Sequence, residues 1–136
     1  MSRSPDELVI PADALRLLLV EDDEDCRLSL SMLLQAVGHQ VTAVATCADA
    51  RARLQTERYA LVLLDVRLRD GSGLDLIPAV RALHPAAKVV IVSGSSEDAA
   101  PTSADAVILK GSDPEKMLAT LEGMLQTRIA GSGFSP

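Results

Sequence analysis

Short apolar runs alternate with amphipathic stretches along this chain, and most of the runs end at a charged or hydroxyl residue. Strands buried on both faces of a parallel sheet read this way, with crossover helices between them. Leu15 to Val20 forms the first run, which stops at Glu21-Asp22-Asp23-Glu24-Asp25. Leu30, Leu33, Leu34 and Val37 follow at helical spacing, and Gly38 is placed to close that helix. Gln40 to Ala45 predicts a second strand, and Thr46 an N-cap for a helix carrying Ala48, Ala52 and Leu54.

The third run, Ala60 to Leu64, leads straight into Asp65. A loop around Asp70-Gly71-Ser72-Gly73 precedes a helix through Leu76, Ile77, Val80 and Leu83, which ends at His84-Pro85. Lys88 to Val92 predicts a fourth strand followed by Ser93-Gly94, and Val107 to Leu109 a fifth followed by Lys110. Pro114 suits the first position of a last helix, whose stripe is Met117, Leu118, Leu121, Met124, Leu125 and Ile129. The pattern predicts one α/β domain over residues 15–129, with flexible tails at 1–14 and 130–136.

Composition narrows the chemistry. A chain of 136 residues fits one domain with its own core. Its 19 acidic residues against 13 basic ones, with Tyr59 and Phe134 as the only aromatics, argue against direct nucleic-acid binding. The N-terminus has no signal-peptide pattern and no run is long enough to span a membrane, so a cytoplasmic location is expected. Cys26 and Cys47 read as buried small hydrophobes, His39 and His84 as surface residues, and Arg51, Arg53 and Arg58 as a solvated helix face.

Ligands of open parallel sheets bind outside the carboxyl ends of the strands. Here those ends carry Glu21-Asp22, Asp65, Ser93 and Lys110. Convergent carboxylates repel one another unless a cation lies between them, and an all-oxygen set suits Mg²⁺. A lysine facing them adds a second positive charge, which points to phosphoryl chemistry with Asp65 as a carboxylate nucleophile. Ser93 is placed to donate to a phosphoryl oxygen. One acid after a strand is ordinarily a solvated loop residue; the ordered set at four strand ends is what carries the reading.

The stretches Leu-Leu-Val-Glu21-Asp22-Asp23, Leu-Leu-Asp65-Val-Arg-Leu-Arg-Asp-Gly71-Ser-Gly-Leu, Val-Ile-Val-Ser93-Gly and Val-Ile-Leu-Lys110 resemble the receiver domain of two-component response regulators. The resemblance spans nearly the whole chain. It implies a flavodoxin-like, doubly wound, five-stranded parallel sheet of order 2-1-3-4-5. It also implies Asp65 as phosphoacceptor, Asp22 as a direct ligand of Mg²⁺ (or Mn²⁺), and Glu21 as a ligand acting through water. The backbone carbonyl of Arg67 would complete the protein's share of that shell. Ser93 matches the family's switch hydroxyl and Lys110 its phosphate-binding lysine. The implied donor is a phosphohistidine on a sensor histidine kinase or a histidine phosphotransfer protein. Slow self-dephosphorylation is the most enzymatic activity expected.

Four departures accompany the resemblance. The segment between Ser93 and Lys110 is about five residues short of a full fourth helix, more than one helical turn. From Gly94 to Ala106 it holds no Leu, Ile, Val or Met and contains Pro101, which predicts a loop with at most a turn or two near Glu97–Ala100. Val107 stands where the family has an aromatic switch residue, Gly111 where Pro commonly follows the lysine, and Arg69 where Pro is common after the phosphoacceptor. A phosphorylation-independent scaffold is the alternative reading. An aspartate-nucleophile phosphatase of the haloacid-dehalogenase type would need an Asp where Arg67 stands. The sequence leaves open the downstream target, dimerisation and an output module beyond Gly131-Ser-Gly.

Overall fold

The computed structural model describes residues 15–94, 104–111 and 113–133, with side chains as far as Met124. In chain order the elements are β1 (Arg16–Val20), α1 (Glu24–Ala36), β2 (Gln40–Val44), α2 (Cys47–Thr56) and β3 (Leu61–Asp65). A short ribbon of β4 (Arg67–Leu68) and β5 (Gly71–Ser72) and a 3₁₀ turn (Gly73–Leu76) lead to α3 (Ile77–Leu83). Then come β6 (Lys88–Ser93), β7 (Ala106–Leu109) and α4 (Pro114–Gly133).

The main sheet runs β2-β1-β3-β6-β7 and is parallel throughout, which is the 2-1-3-4-5 order of a flavodoxin-like fold. Alternation along the strands sorts the core into two layers. Leu18, Val20, Val62, Leu64, Val89 and Ile91 face Ala50 and Leu54 of α2 and Ile77 and Val80 of α3. Leu17, Leu19, Leu61, Leu63, Val90 and Val92 face Leu30 and Leu34 of α1 and Met117 and Leu121 of α4. Central β3 is buried along its whole length. Each of its leucines contributes about 2 kcal/mol by leaving water.

Several local expectations change. The buried face of α2 is Cys47, Ala50 and Leu54, so Ala48 and Ala52 are exposed. Alanines mark a stripe weakly, and the helix turns its cysteine inward. Cys26 is only half-buried. Helix α1 stops at Ala36, leaving Val37 exposed as its cap. His39 N–H donates to Leu34 O at 3.2 Å and Gly38 N–H to Gln35 O at 3.0 Å. Gly38, at φ +100°, supplies the left-handed residue this Schellman closure requires.

His39 and His84 are buried, which corrects their reading as surface residues. Each sits at a helix end that folds back onto the core, where polar partners wait. His39 Nδ1 accepts from Leu15 N–H at 3.2 Å, and its Nε2 lies 2.6 Å from Glu122 Oε1. His84 Nε2 lies 2.8 Å from the Leu54 carbonyl. Helix α4 carries on past Ile129 to Gly133, through the start of the expected tail. Four helices occur among the described residues. The loop foreseen between Ser93 and Lys110 falls chiefly on residues 95–103, outside the described residues, as do residues 1–14. Among the described residues no helix is long and apolar enough to cross a membrane.

Candidate functional site

Strand register brings the site together. Val20 pairs with Leu64, Asp65 with Val92, and Ser93 with Leu109. The residues at or just past these ends, Glu21, Asp65, Ser93 and Lys110, therefore stand side by side. Asp22, Asp65, Val66, Arg67, Ser93, Gly94 and Lys110 line a cavity of about 360 Å³. Glu21 lies beside it, 1% exposed.

The acidic loop is fixed by its own hydrogen bonds. Glu21 Oε2 accepts the Asp23 N–H at 3.0 Å, and Asp23 caps α1 by accepting the Cys26 N–H at 2.8 Å. Asp22 is held between them. Arg27, in the early part of α1, donates to the carbonyls of Glu21 at 2.9 Å and Asp22 at 3.4 Å. Sequence reading missed Arg27; its one signal was a cation one turn into the helix after the acids.

Asp65 is 4% exposed at the end of β3. Its Oδ1 accepts the Arg67 N–H at 3.3 Å, and its Oδ2 accepts from Lys110 Nζ at 3.0 Å. A Cβ on Gly73 would lie 2.0 Å from the Asp65 carbonyl oxygen, so only glycine lets the 3₁₀ turn pass this close. Lys110 is oriented through its backbone, whose N–H donates to Ser93 O at 2.6 Å. Its Nζ also reaches Glu21, donating to Oε2 at 3.2 Å and lying 3.1 Å from Oε1.

Electrostatically, one ammonium serves an excess of carboxylate. Burial, then hydrogen bonding with Asp65, pushes the Glu21 carboxyl above its ordinary value. Burial works against the Lys110 charge, but hydrogen bonds to Asp65 and Glu21 outweigh it and hold the ammonium above its ordinary value. Carboxylate oxygens of Glu21, Asp22 and Asp65 lie within 4.8 Å of one another. Among the described residues, buried Glu21 Oε1 accepts no hydrogen bond, although Lys110 Nζ lies 3.1 Å away as its ion-pair partner. Clustered carboxylate oxygens that share a single ammonium fit a hard divalent cation.

All the candidate residues converge on this one end of the sheet. Val107, at the position where an aromatic ring was not found, is 42% exposed on β7.

The family model for the response regulator receiver domain matches residues 17–122, most of the chain. The chain belongs to this family. The receiver is 33% identical over 91 residues to the response regulator receiver protein CpdR of Brucella abortus, covering 67% of this chain and 76% of CpdR. It is 33% identical over 78 residues to the photosynthetic apparatus regulatory protein RegA of Rhodobacter capsulatus, covering 57% of this chain but only 42% of RegA. Among solved structures, a CheY-like receiver domain protein of Methanospirillum hungatei superposes with a TM-score of 0.78 at 29% identity, covering 85% of this chain and 96% of that one. Receivers are signalling proteins of two-component systems rather than classical enzymes.

Proposed function

We propose that this receiver accepts a phosphoryl group on Asp65 from a phosphohistidine of a sensor histidine kinase or histidine phosphotransfer protein. Asp22, Asp65 and the Arg67 carbonyl would hold Mg²⁺, or Mn²⁺ in its place, with Glu21 acting through water. The cation, when bound, supplies charge neutralisation for the phosphoryl oxygens. An oxygen of Asp65 forms the new bond to phosphorus. The bond from phosphorus to the donor imidazole nitrogen breaks, and that nitrogen takes a proton from solvent. Lys110, already 3.0 Å from Asp65 Oδ2, neutralises charge on the transferred group, and the Ser93 hydroxyl donates to one of its oxygens.

The observation that carries this reading is Asp65 itself: a buried carboxylate hydrogen-bonded to Lys110 and clustered with two further acids. The phosphorylated receiver then acts by protein contact or passes the group along a relay, in the cytoplasm, and loses it slowly to water. Incubation with acetyl phosphate and Mg²⁺ should add one phosphoryl group by intact mass, and Asp65→Asn should abolish it. An adduct that survives Asp65→Asn would show another acceptor. No adduct from acetyl phosphate or from a cognate kinase would leave the fold as a scaffold.

A further inference from the structure

We propose that Asp70 is a positioning residue that couples the phosphoacceptor loop to the N-terminus of α2, a role that rests on Asp65 being the phosphoacceptor. The first turn of a helix leaves backbone N–H groups without intrahelical partners. Helix α2 satisfies these from two sources. Its own N-cap, Thr46, accepts the Asp49 N–H at 3.1 Å. The other source lies more than twenty residues along the chain: Asp70 Oδ1 accepts the Cys47 N–H at 2.8 Å, and Oδ2 accepts the Ala48 N–H at 3.1 Å. Cys47 Sγ also approaches Ser72 O, at 3.7 Å. These backbone donors hold the Asp70 carboxyl below its ordinary value, although the side chain is exposed.

From Asp70 back to Asp65 the connection is short and stiff. Arg67 pairs with Ser72 and Leu68 with Gly71 in the β4–β5 ribbon. Gly73 N–H donates to Val66 O at 3.0 Å, and the same glycine abuts the Asp65 carbonyl. Asp65 Oδ1 receives the Arg67 N–H, so a phosphoryl group on this carboxylate changes the charge facing the first residue of the ribbon. The ribbon transmits that change to Asp70, and Asp70 to α2. At the other side of the site, Val107 offers no ring to carry a signal along β7. Linkage makes the coupling reciprocal: what α2 feels from Asp65, Asp65 feels from α2.

The test monitors backbone hydrogen exchange of Cys47 and Ala48 by NMR in the full chain, with and without acetyl phosphate and Mg²⁺, beside intact mass. In the unmodified sequence, phosphorylation should change exchange at these amides by about fivefold or more, the lower end of ordinary coupling. Asp70→Ala should still take the phosphoryl group but lose that difference. Thr46→Ala, which removes the other cap of the same turn, should keep it, as a merely structural role for Asp70 does not require. Asp70→Asn retains one acceptor oxygen, serves where the alanine variant fails to fold, and should give an intermediate response. An adduct without an exchange difference in the unmodified chain overturns the coupling, as does a difference that persists in Asp70→Ala or disappears equally in Thr46→Ala. Absence of any adduct, with acetyl phosphate and with a cognate kinase alike, overturns the phosphoacceptor reading and this proposal with it.

Discussion

The two ends of the sheet bury polar groups to similar degrees and pair them differently. At the carboxyl end, Glu21, Asp65 and Ser93 are 1%, 4% and 1% exposed; at the amino end, His39 and His84 are 6% and 9% exposed. The amino-end groups are matched locally: His84 with the Leu54 carbonyl, His39 with Leu15 and Glu122, Tyr59 with Glu57 at 2.6 Å. At the carboxyl end two buried acids share one lysine, and among the described residues Glu21 Oε1 has that ion pair but accepts no hydrogen bond. Burial alone therefore does not mark a functional site. An unbalanced set of buried charges in a cleft is the better guide, since such a set is costly to hold without a counter-charge.

Removing the shared cation should give the largest effect. Lys110→Ala leaves Glu21 and Asp65 facing each other uncompensated and should cost about 3 kcal/mol, the low end for a broken buried ion pair. Urea denaturation measures this, and added Mg²⁺ should recover part of the loss by binding the folded state. A loss that Mg²⁺ leaves untouched would mean the acids are as fully matched as the histidines.

At the opposite end, His84→Ala orphans the Leu54 carbonyl and should cost about 2 kcal/mol. That loss should not respond to Mg²⁺. Recovery by the cation would erase the distinction between the two ends.

The smallest effect belongs to Asp70, whose depressed pKa gives the sign of a pH dependence. A carboxylate favoured in the folded state stabilises above its unfolded value, and the benefit fades as pH falls through the folded one. The thermal midpoint of the protein should therefore fall more steeply than that of Asp70→Asn as pH drops below about 4. Equal slopes would remove Asp70 from the acid-sensitive groups.

The same contrast explains which residues were legible in the sequence. Glu21, Asp22, Asp65, Ser93 and Lys110 were found because the position after an apolar run is local information, and parallel strands align those positions without further instruction. His84 and His39 were misread because their partners, the Leu54 carbonyl and Glu122, lie 30 and 83 residues away. Asp70 and Arg27 were missed for a related reason: both bond to backbone groups, which leave no trace in side-chain identity. The β4–β5 ribbon has strands of two residues each, too short for any periodicity to register.

The contact of Gly73 with Asp65 also bears on how this molecule can vary. Every amino acid other than glycine brings a Cβ, and at this position that atom would meet the backbone rather than a side chain able to swing aside. No gradation by size, polarity or charge is available, because the obstacle is the first carbon and not the atoms beyond it. At the neighbouring exposed positions Arg69 and Asp70 a Cβ is already accommodated, so any constraint there lies in what the side chain bonds to and not in space. Among them Gly73 is a point where drift stops, and a library randomised over the loop after Asp65 should return it unchanged.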